Sequence, residues 1–321
     1  MQLEGIHHIT AITGDAPRNV DFYARVLGLR LVKKTVNQDD PTIYHLFYGD
    51  ERGDPGLDLT FFEYPGASPG RAGEGMVHRI GWRVASADAI GYWADRLGDE
   101  GTPSERVGAR LRFRDPEGLE HELLVDESGD DPLVADHVEV PREMALQGFD
   151  GVRAYAAQPE ASRALLERAM GFEQRSEAWE VRGRRRGSLY AYDPPPAERG
   201  VQGGGTVHHV AFASTVEDHE AWRDRVIGAE ARPTPVIDRF YFKSIYFREP
   251  SGVLFELATM GPGFTADEPL EHLGEKLSLP PAFEHMREQV EPRLTPLPDI
   301  RQWRPRAVPS GYTGPASNSI S

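Results

Sequence analysis

Residues 5–13 read GIHHITAIT and residues 206–214 read TVHHVAFAS. Each is an apolar run broken by polar or small side chains at roughly every second place, the period of a strand with one buried face. The chain after the first run is equally ordered. Asp15 stands as an N-cap, Pro17 falls in a first turn, and Val20, Phe22, Tyr23 and Val26 recur at helical spacing until Gly28 supplies a stop. The strand-like runs IYHLFYG and LDLTFFEY come next. The same order then repeats. A second copy opens with MVHRIGWRV (76–84), continues through ADAIGYWADRLG (87–98) and ends at GLEHELLVD (118–126). A third opens with GFDGVRAYA (148–156), has the helical ASRALLERAMG (161–171) and ends near GSLYAYDP (187–194). The fourth starts at TVHHVAFAS, continues through VEDHEAWRDRVIG (216–228) and closes on FYFKSIYF (240–247) and GVLFELAT (252–259).

Each copy reads strand, helix, then about three strands, over roughly 50 to 60 residues, and an internal repeat of that kind decides architecture before any single motif does. One βαβββ unit leaves the concave face of a small curled sheet wet, whereas two together enclose a half-barrel. The expected fold is therefore α+β, with four βαβββ modules paired into two half-barrel domains and a C-terminal helical tail. Along the chain the expected divisions are residues 1–142 (modules 1 and 2), 143–262 (modules 3 and 4) and a C-terminal extension, 263–321. The acidic, proline-containing stretch from Asp126 to Glu143 is the best interior boundary. In the extension, PAFEHMREQVEPRL (281–294) reads as a helix, and the proline- and serine-rich sequence after it reads as loose.

Composition narrows the function. The 321 residues exceed the comfortable size of one core, so two domains are expected. With 36 basic against 51 acidic residues the formal net charge is −15, which repels phosphate backbones and anionic membranes and argues against nucleic-acid and membrane partners. A small anionic substrate held by a few local arginines is not excluded. There are no cysteines, so disulfides, thiolate metal sites and cysteine nucleophiles are all absent. No apolar run approaches a bilayer span, and the N-terminus lacks the pattern of a signal peptide. A cytoplasmic enzyme is expected.

Aligning the four opening strands exposes an asymmetry. The first has His8 where the second has Arg79, the third Gly151 and the fourth His209. In the closing strands, Glu256 of the fourth corresponds to Glu122 of the second, Thr60 of the first and a place near Tyr190 in the third. A site of two histidines and a carboxylate can therefore draw only on modules 1 and 4. This predicts that modules 1 and 4 pair, that 2 and 3 form the other domain, and that the chain is nested. Two imidazoles and one carboxylate on one face of a metal suit octahedral iron(II) with open positions; zinc is chemically possible too. Strand parity sends one ring of each doublet, His7–His8 and His208–His209, into the cavity and the other away, so His7 and His208 read either as packed beneath the sheet or, near a twisted strand end, as part of the site. Thr10 shares the parity of His8, and Tyr246 that of Glu256. Arg239 and Tyr246 read as a charge-neutralising and a proton-transferring pair, or alternatively as a surface arginine and a core tyrosine.

The stretches 7–51 (HHITAITGDAPRNVDFYARVLGLRLVKKTVNQDDPTIYHLFYGDE), 207–213 (VHHVAFA), 238–256 (DRFYFKSIYFREPSGVLFE) and 263–285 (GFTADEPLEHLGEKLSLPPAFEH) together carry a resemblance that spans nearly the whole chain. The sequence resembles the vicinal oxygen chelate superfamily of glyoxalases and extradiol dioxygenases, and within it the ring-cleaving dioxygenases that act on hydroquinones. That resemblance implies a non-haem iron(II) centre on His8, His209 and Glu256, with His7, Thr10, His208, Arg239 and Tyr246 around it. Manganese(II) is an alternative metal, and zinc or nickel could fill the site in a crystal. The implied reaction is extradiol-type cleavage of a hydroquinone or catechol by dioxygen. Tyr246 and His208 are then the candidates for proton transfer, and Arg239 for stabilising negative charge. A homo-oligomer, dimer or tetramer, is also expected. Two rivals remain: a glyoxalase-type isomerase or metal-dependent lyase on the same scaffold, which commonly needs a fourth protein ligand where Thr60 stands, and a non-catalytic small-molecule-binding protein, which has no need of the full ligand set.

Overall fold

The computed structural model describes residues 1–305. Four units of the expected order are present. The first contains β1 (Ile6–Thr13), β2 (Arg30–Asn37), β3 (Asp40–Gly49) and β4 (Asp58–Glu63), and the second β5 (Val77–Val84), β6 (Ser104–Val107), β7 (Arg110–Arg114) and β8 (Glu120–Val125). The third contains β9 (Phe149–Tyr155), β10 (Glu173–Arg175), β11 (Ala178–Arg182) and β12 (Gly187–Asp193), and the fourth β13 (Thr206–Ser214), β14 (Ile237–Asp238), β15 (Lys243–Arg248) and β16 (Leu254–Thr259). Helical residues separate the first two strands of every unit. In the first, the Asp15 side chain accepts from the Arg18 N–H and the helix Ala16–Val20 runs on as a wider π turn, Asp21–Val26. Gly28 ends it at φ +70°, where a side chain would be strained.

Two eight-stranded sheets result, ordered β14-β15-β16-β13-β1-β4-β3-β2 and β10-β11-β12-β9-β5-β8-β7-β6. Modules 1 and 4 share the first, modules 2 and 3 the second, as the two-histidine argument requires. Residues 1–142 and 143–262 each contribute one unit to each sheet, and the acidic stretch 126–143 joins β8 to β9 within the second sheet. Crossings between sheets occur instead after β4 and β12, and the two crossing segments run side by side, with Arg71 bridging Val201 and Pro69 bridging Gly204. Gly73 and Gly200 are needed there: a Cβ on Gly73 would lie 2.3 Å from the Gly200 nitrogen.

A large hydrophobic core draws on strands and helices of all four units, with Trp82, Trp93, Trp222 and Tyr23 fully buried, and a smaller cluster around Phe47, Tyr241, Phe242 and Phe264 lies apart from it. The large core ties the two sheets together chemically as well. The Tyr23 hydroxyl donates to Asp115 at 2.9 Å and lies 3.0 Å from His121 Nε2, while Trp82 donates to His121 Nδ1 at 2.9 Å. Burial drives the His121 imidazole down to about 3, so the ring is neutral and can accept.

The tail departs from expectation in one respect. Residues 281–294 do not form one helix: a turn at Glu284–Met286, a four-residue α-helix Arg287–Val290 and a turn Glu291–Arg293 succeed each other. Pro292 lacks the N–H that would continue the ladder. Before it, the segment Phe264–Leu279 lies along β2, with Leu277 bridging Lys34. Lys33, wholly buried, is neutralised there by Asp267 at 2.7 Å and by Glu268. The loose reading of the chain end falls on 306–321, outside the described residues.

Candidate metal centre

The site is built where modules 1 and 4 meet. β1 and β13 are antiparallel and β13 pairs with β16 in parallel, which sets Glu256 opposite Ala211, two residues beyond His209. In module 1 the equivalent register sets Thr60 opposite Thr10, and in module 2 Glu122 opposite Gly81, confirming those correspondences. In module 3 the equivalent residue is Ala191, next to Tyr190.

Three ligand atoms converge. His8 Nε2 and His209 Nε2 are 3.2 Å apart, and Glu256 Oε2 lies 3.2 Å from the first and 2.9 Å from the second. Metal–ligand bonds of about 2.1 Å at right angles place neighbouring donors about 3.0 Å apart, so this triangle matches one face of an octahedron. The Glu256 carboxylate is 0% exposed, and neither oxygen has a hydrogen-bond partner of proper geometry among the described residues. Burial alone would push its carboxyl up; the His8 and His209 imidazoles outweigh it and hold the group well below the usual carboxylate range. A buried, charged and unsatisfied carboxylate facing two ring nitrogens is costly unless a cation sits among them. The donor set and its geometry therefore fit a divalent metal.

The histidine doublets do not follow simple alternation. The β1–β13 pairing slips between Ile6 and His8 and again between Thr10 and Ala11, leaving His7 and His208 as the extra residues of two β-bulges. A bulge re-aims its side chain, and in each pair the neighbour turns toward the ligand: His7 Nδ1 is 3.0 Å from His8 Nδ1, and His208 Nδ1 is 2.8 Å from His209 Nδ1. Phe242 packs on both rings of the first doublet and Phe62 on both of the second. Reading His7 and His208 as packed beneath the sheet is thus corrected by the bulges. Burial lowers His7 to about 3, so it is neutral. A neutral ring with its proton on Nε2 accepts at Nδ1 from the His8 Nδ1–H, which leaves the His8 Nε2 lone pair free for a metal.

Thr10 lies beneath the ligands, its hydroxyl 2.9 Å from His209 Nε2 and 2.8 Å from the Thr60 hydroxyl. Tyr246 stands directly opposite Glu256 on β15, its ring 5.7 Å from that of His209, and burial, then the Glu256 charge, pushes its phenol up. Arg239 lies over the Tyr246 ring at 5.5 Å. His8, His209, Arg239 and Tyr246 line a common cavity, part of it open to solvent. The surface-arginine reading of Arg239 and the core-tyrosine reading of Tyr246 do not describe this placement. His7 and His208 lie outside that lining, behind the ligands, His7 beside a second cavity and His208 exposed in a cleft next to Arg248.

Residues missed from sequence complete the cavity: His45, Phe47, Phe62, Phe242 and Asp39. His45 donates to or accepts from Thr60 at 2.9 Å, and burial holds it well below the usual imidazole range. The signal that could have found it is parity, since His45 and Phe47 alternate on β3 as Thr60 and Phe62 do on β4, opposite one another.

Comparison with known proteins agrees with this fold. The family described as the Glyoxalase/Bleomycin resistance protein/Dioxygenase superfamily matches residues 5–123 and 148–257, that is, modules 1 with 2 and 3 with 4. A Bacillus subtilis protein named as a ring-cleaving dioxygenase, MhqA, is 40% identical over 92% of this chain and 100% of its own. A second, MhqO, is 43% identical over 93% and 97%. The chlorohydroquinone/hydroquinone 1,2-dioxygenase of Sphingobium indicum is 30% identical over 90% of this chain and 95% of its own. Among solved structures, a Bacillus subtilis protein named as a dioxygenase superposes with a TM-score of 0.85 at 40% identity, covering 92% of this chain and 98% of that one. Glyoxalase I from Zea mays, at 15% identity and a TM-score of 0.56 over 82% of this chain and 93% of its own, shares the fold.

Proposed function

Because this chain belongs to the glyoxalase/bleomycin resistance protein/dioxygenase superfamily, we propose that it is an iron(II)-dependent dioxygenase that opens the ring of a hydroquinone or catechol. The observation that carries the proposal is the buried, unsatisfied Glu256 carboxylate facing His8 and His209 at the base of an aromatic-lined cavity. The names borne by relatives that align over nine-tenths of the chain point the same way. In the reaction one ring C–C bond breaks, both oxygen atoms of dioxygen enter the product, and the ring supplies the electrons. His8, His209 and Glu256 would hold the metal, which when bound offers open positions for a phenolate and dioxygen and passes electron density between them. Iron(II) and a cytoplasmic location are parts of the same reading; no described helix is long and apolar enough to cross a membrane.

The protein's own groups have separable tasks. Tyr246 keeps its proton at neutral pH and can donate it to oxygen that gains negative charge. Arg239, stacked on that phenol, contributes positive charge beside it. His7 and His208 hold the tautomer and tilt of the two ligand imidazoles through their Nδ1 contacts. Thr10, Thr60 and His45 form a hydrogen-bonded row that fixes the floor of the site. Phe47, Phe62 and Phe242 offer faces for a ring and exclude competing water. A glyoxalase-type isomerase is less well served, because Thr60, the residue in place of a fourth ligand, spends its hydroxyl on Thr10 and His45.

The test is anaerobic reconstitution with iron(II), then oxygen-uptake measurements on substituted hydroquinones and catechols. One oxygen consumed per ring opened is the expected result. No uptake with any phenolic substrate, together with turnover of a glutathione hemithioacetal, would sink the proposal.

A further inference from the structure

One ion pair between the two modules that build the metal cavity stands at its mouth, with Asp39 on the solvent side. Gln38 and Asp39 form the two-residue tip joining β2 to β3, and Arg239 comes directly after β14. The Asp39 carboxylate accepts from both terminal nitrogens of Arg239, each at 2.9 Å, and the Gln38 amide donates to the Arg239 carbonyl at 2.6 Å. Arg239 cannot swing away cheaply. Its own N–H donates to the Phe242 carbonyl, and Phe240 beside it is held at φ +68° with its N–H on Asp238. A bidentate guanidinium–carboxylate pair of this kind fixes geometry as well as charge.

Charge at the site can then be counted. Among the described residues lining the cavity, Arg239 is the only permanent cation, and Asp39 uses both of its terminal nitrogens. A divalent metal with the Glu256 carboxylate leaves one net positive charge, enough for one phenolate. A ring bearing a further carboxylate would meet the Asp39 charge beside a guanidinium whose own charge Asp39 already balances. We infer that Asp39 is a specificity-determining residue, which restricts the site to hydroquinones without an acidic ring substituent by sequestering Arg239 and placing a like charge at the mouth. This deepens the ring-cleavage reading and rests on it.

The test compares hydroquinone with 2,5-dihydroxybenzoate on the iron-loaded protein. Anaerobic calorimetry gives dissociation constants without turnover, and oxygen uptake gives kcat/KM. The wild type is expected to prefer hydroquinone, Asp39→Asn to shift the ratio toward the carboxylated ring by about tenfold or more, and Asp39→Glu to retain the wild-type preference. Glu217→Gln, which removes the same charge from an exposed turn that does not line the cavity, is the control and is expected to leave the ratio in place. A shift under about twofold in Asp39→Asn, or an equal shift in Glu217→Gln, overturns the inference. If the wild type consumes no oxygen with any hydroquinone or catechol, the dioxygenase reading fails, and the calorimetric ratio still decides the role of Asp39.

Discussion

The two sheets share one plan and opposite chemistry. In both, the opening strands of two modules meet antiparallel with a bulge on each strand: His7 and His208 in the first, His78 and Asp150 in the second. In the first sheet the residues beside the bulges are His8 and His209, and the carboxylate of Glu256 is left without a hydrogen-bond partner among the described residues. In the second, the corresponding positions hold Arg79 and Gly151, and Glu122 is enclosed by Arg110 at 2.7 Å, Arg112 at 2.6 Å and Arg79 at 3.8 Å. His78 is likewise paired, through Nε2, with Asp193 at 2.9 Å. Nor could a ligand side chain be placed at Gly151 without moving the sheet, since a Cβ there would lie 2.1 Å from the Leu189 carbonyl oxygen. The lesson is that a half-barrel carries its buried charge in one of two ways. It completes the charge internally with guanidinium groups, or leaves it incomplete for a metal.

The strongest way to break this contrast is to exchange the consequences of the two carboxylates. Glu256→Ala or His209→Ala is expected to abolish stoichiometric iron binding and lower ring-cleaving activity by about 10³-fold or more, whereas Arg79→Ala keeps full metal content. Elemental analysis after dialysis decides it, and full iron occupancy in either ligand variant refutes the assignment. Tyr246→Phe sharpens the first side of the comparison. It should lower kcat about 10²-fold while metal content stays at one per chain, as measured by oxygen uptake on iron-loaded protein. On the other side, Glu122→Gln leaves Arg110 and Arg112 short of a counter-charge, while Arg79 keeps Glu120 at 2.8 Å. Because both are partly solvated, the expected loss is about 1 kcal/mol in urea unfolding, with metal binding intact.

The smallest expected effect is a pH dependence. Arg153 first, then His78, hold the Asp193 carboxyl down to about 2 against the opposing effect of burial. Its folded-state value is depressed below the unfolded one, so its stabilisation is present above about pH 4 and is lost as pH falls toward 2. Asp193→Asn should therefore be destabilising at pH 7, and its deficit relative to wild type should shrink by about 1 kcal/mol between pH 4 and pH 2, after allowance for the partly exposed setting. A deficit independent of pH would place the role of Asp193 in packing.

Much of this was legible in sequence, for reasons that can be named. The repeat shows itself because each unit must bury one face of a strand and one stripe of a helix, and those periods are written in side-chain type. Tyr246 and Glu256 could be put on one face because strand parity survives a tight turn, and the register pairs them directly. Parity failed at His7 and His208. A bulge adds one residue to one strand and leaves no mark in the hydrophobic pattern. His45 and Asp39 were missed because neither has a counterpart in another module; they matter through what the fold brings opposite them. The tail was misread as one helix because its apolar spacing outweighed Pro292.

By itself the sequence determined the four modules, their nested pairing and the three side chains that meet between modules 1 and 4, His8, His209 and Glu256, since only two modules carry histidine at the equivalent place and a shared site forces those two together. The tertiary structure decided what surrounds the trio. Bulges turned the first histidine of each doublet onto the second, and residues 200 positions apart met at the mouth as the Arg239–Asp39 pair. Those contacts depend on distances across the sheet, which no periodicity within a single strand encodes.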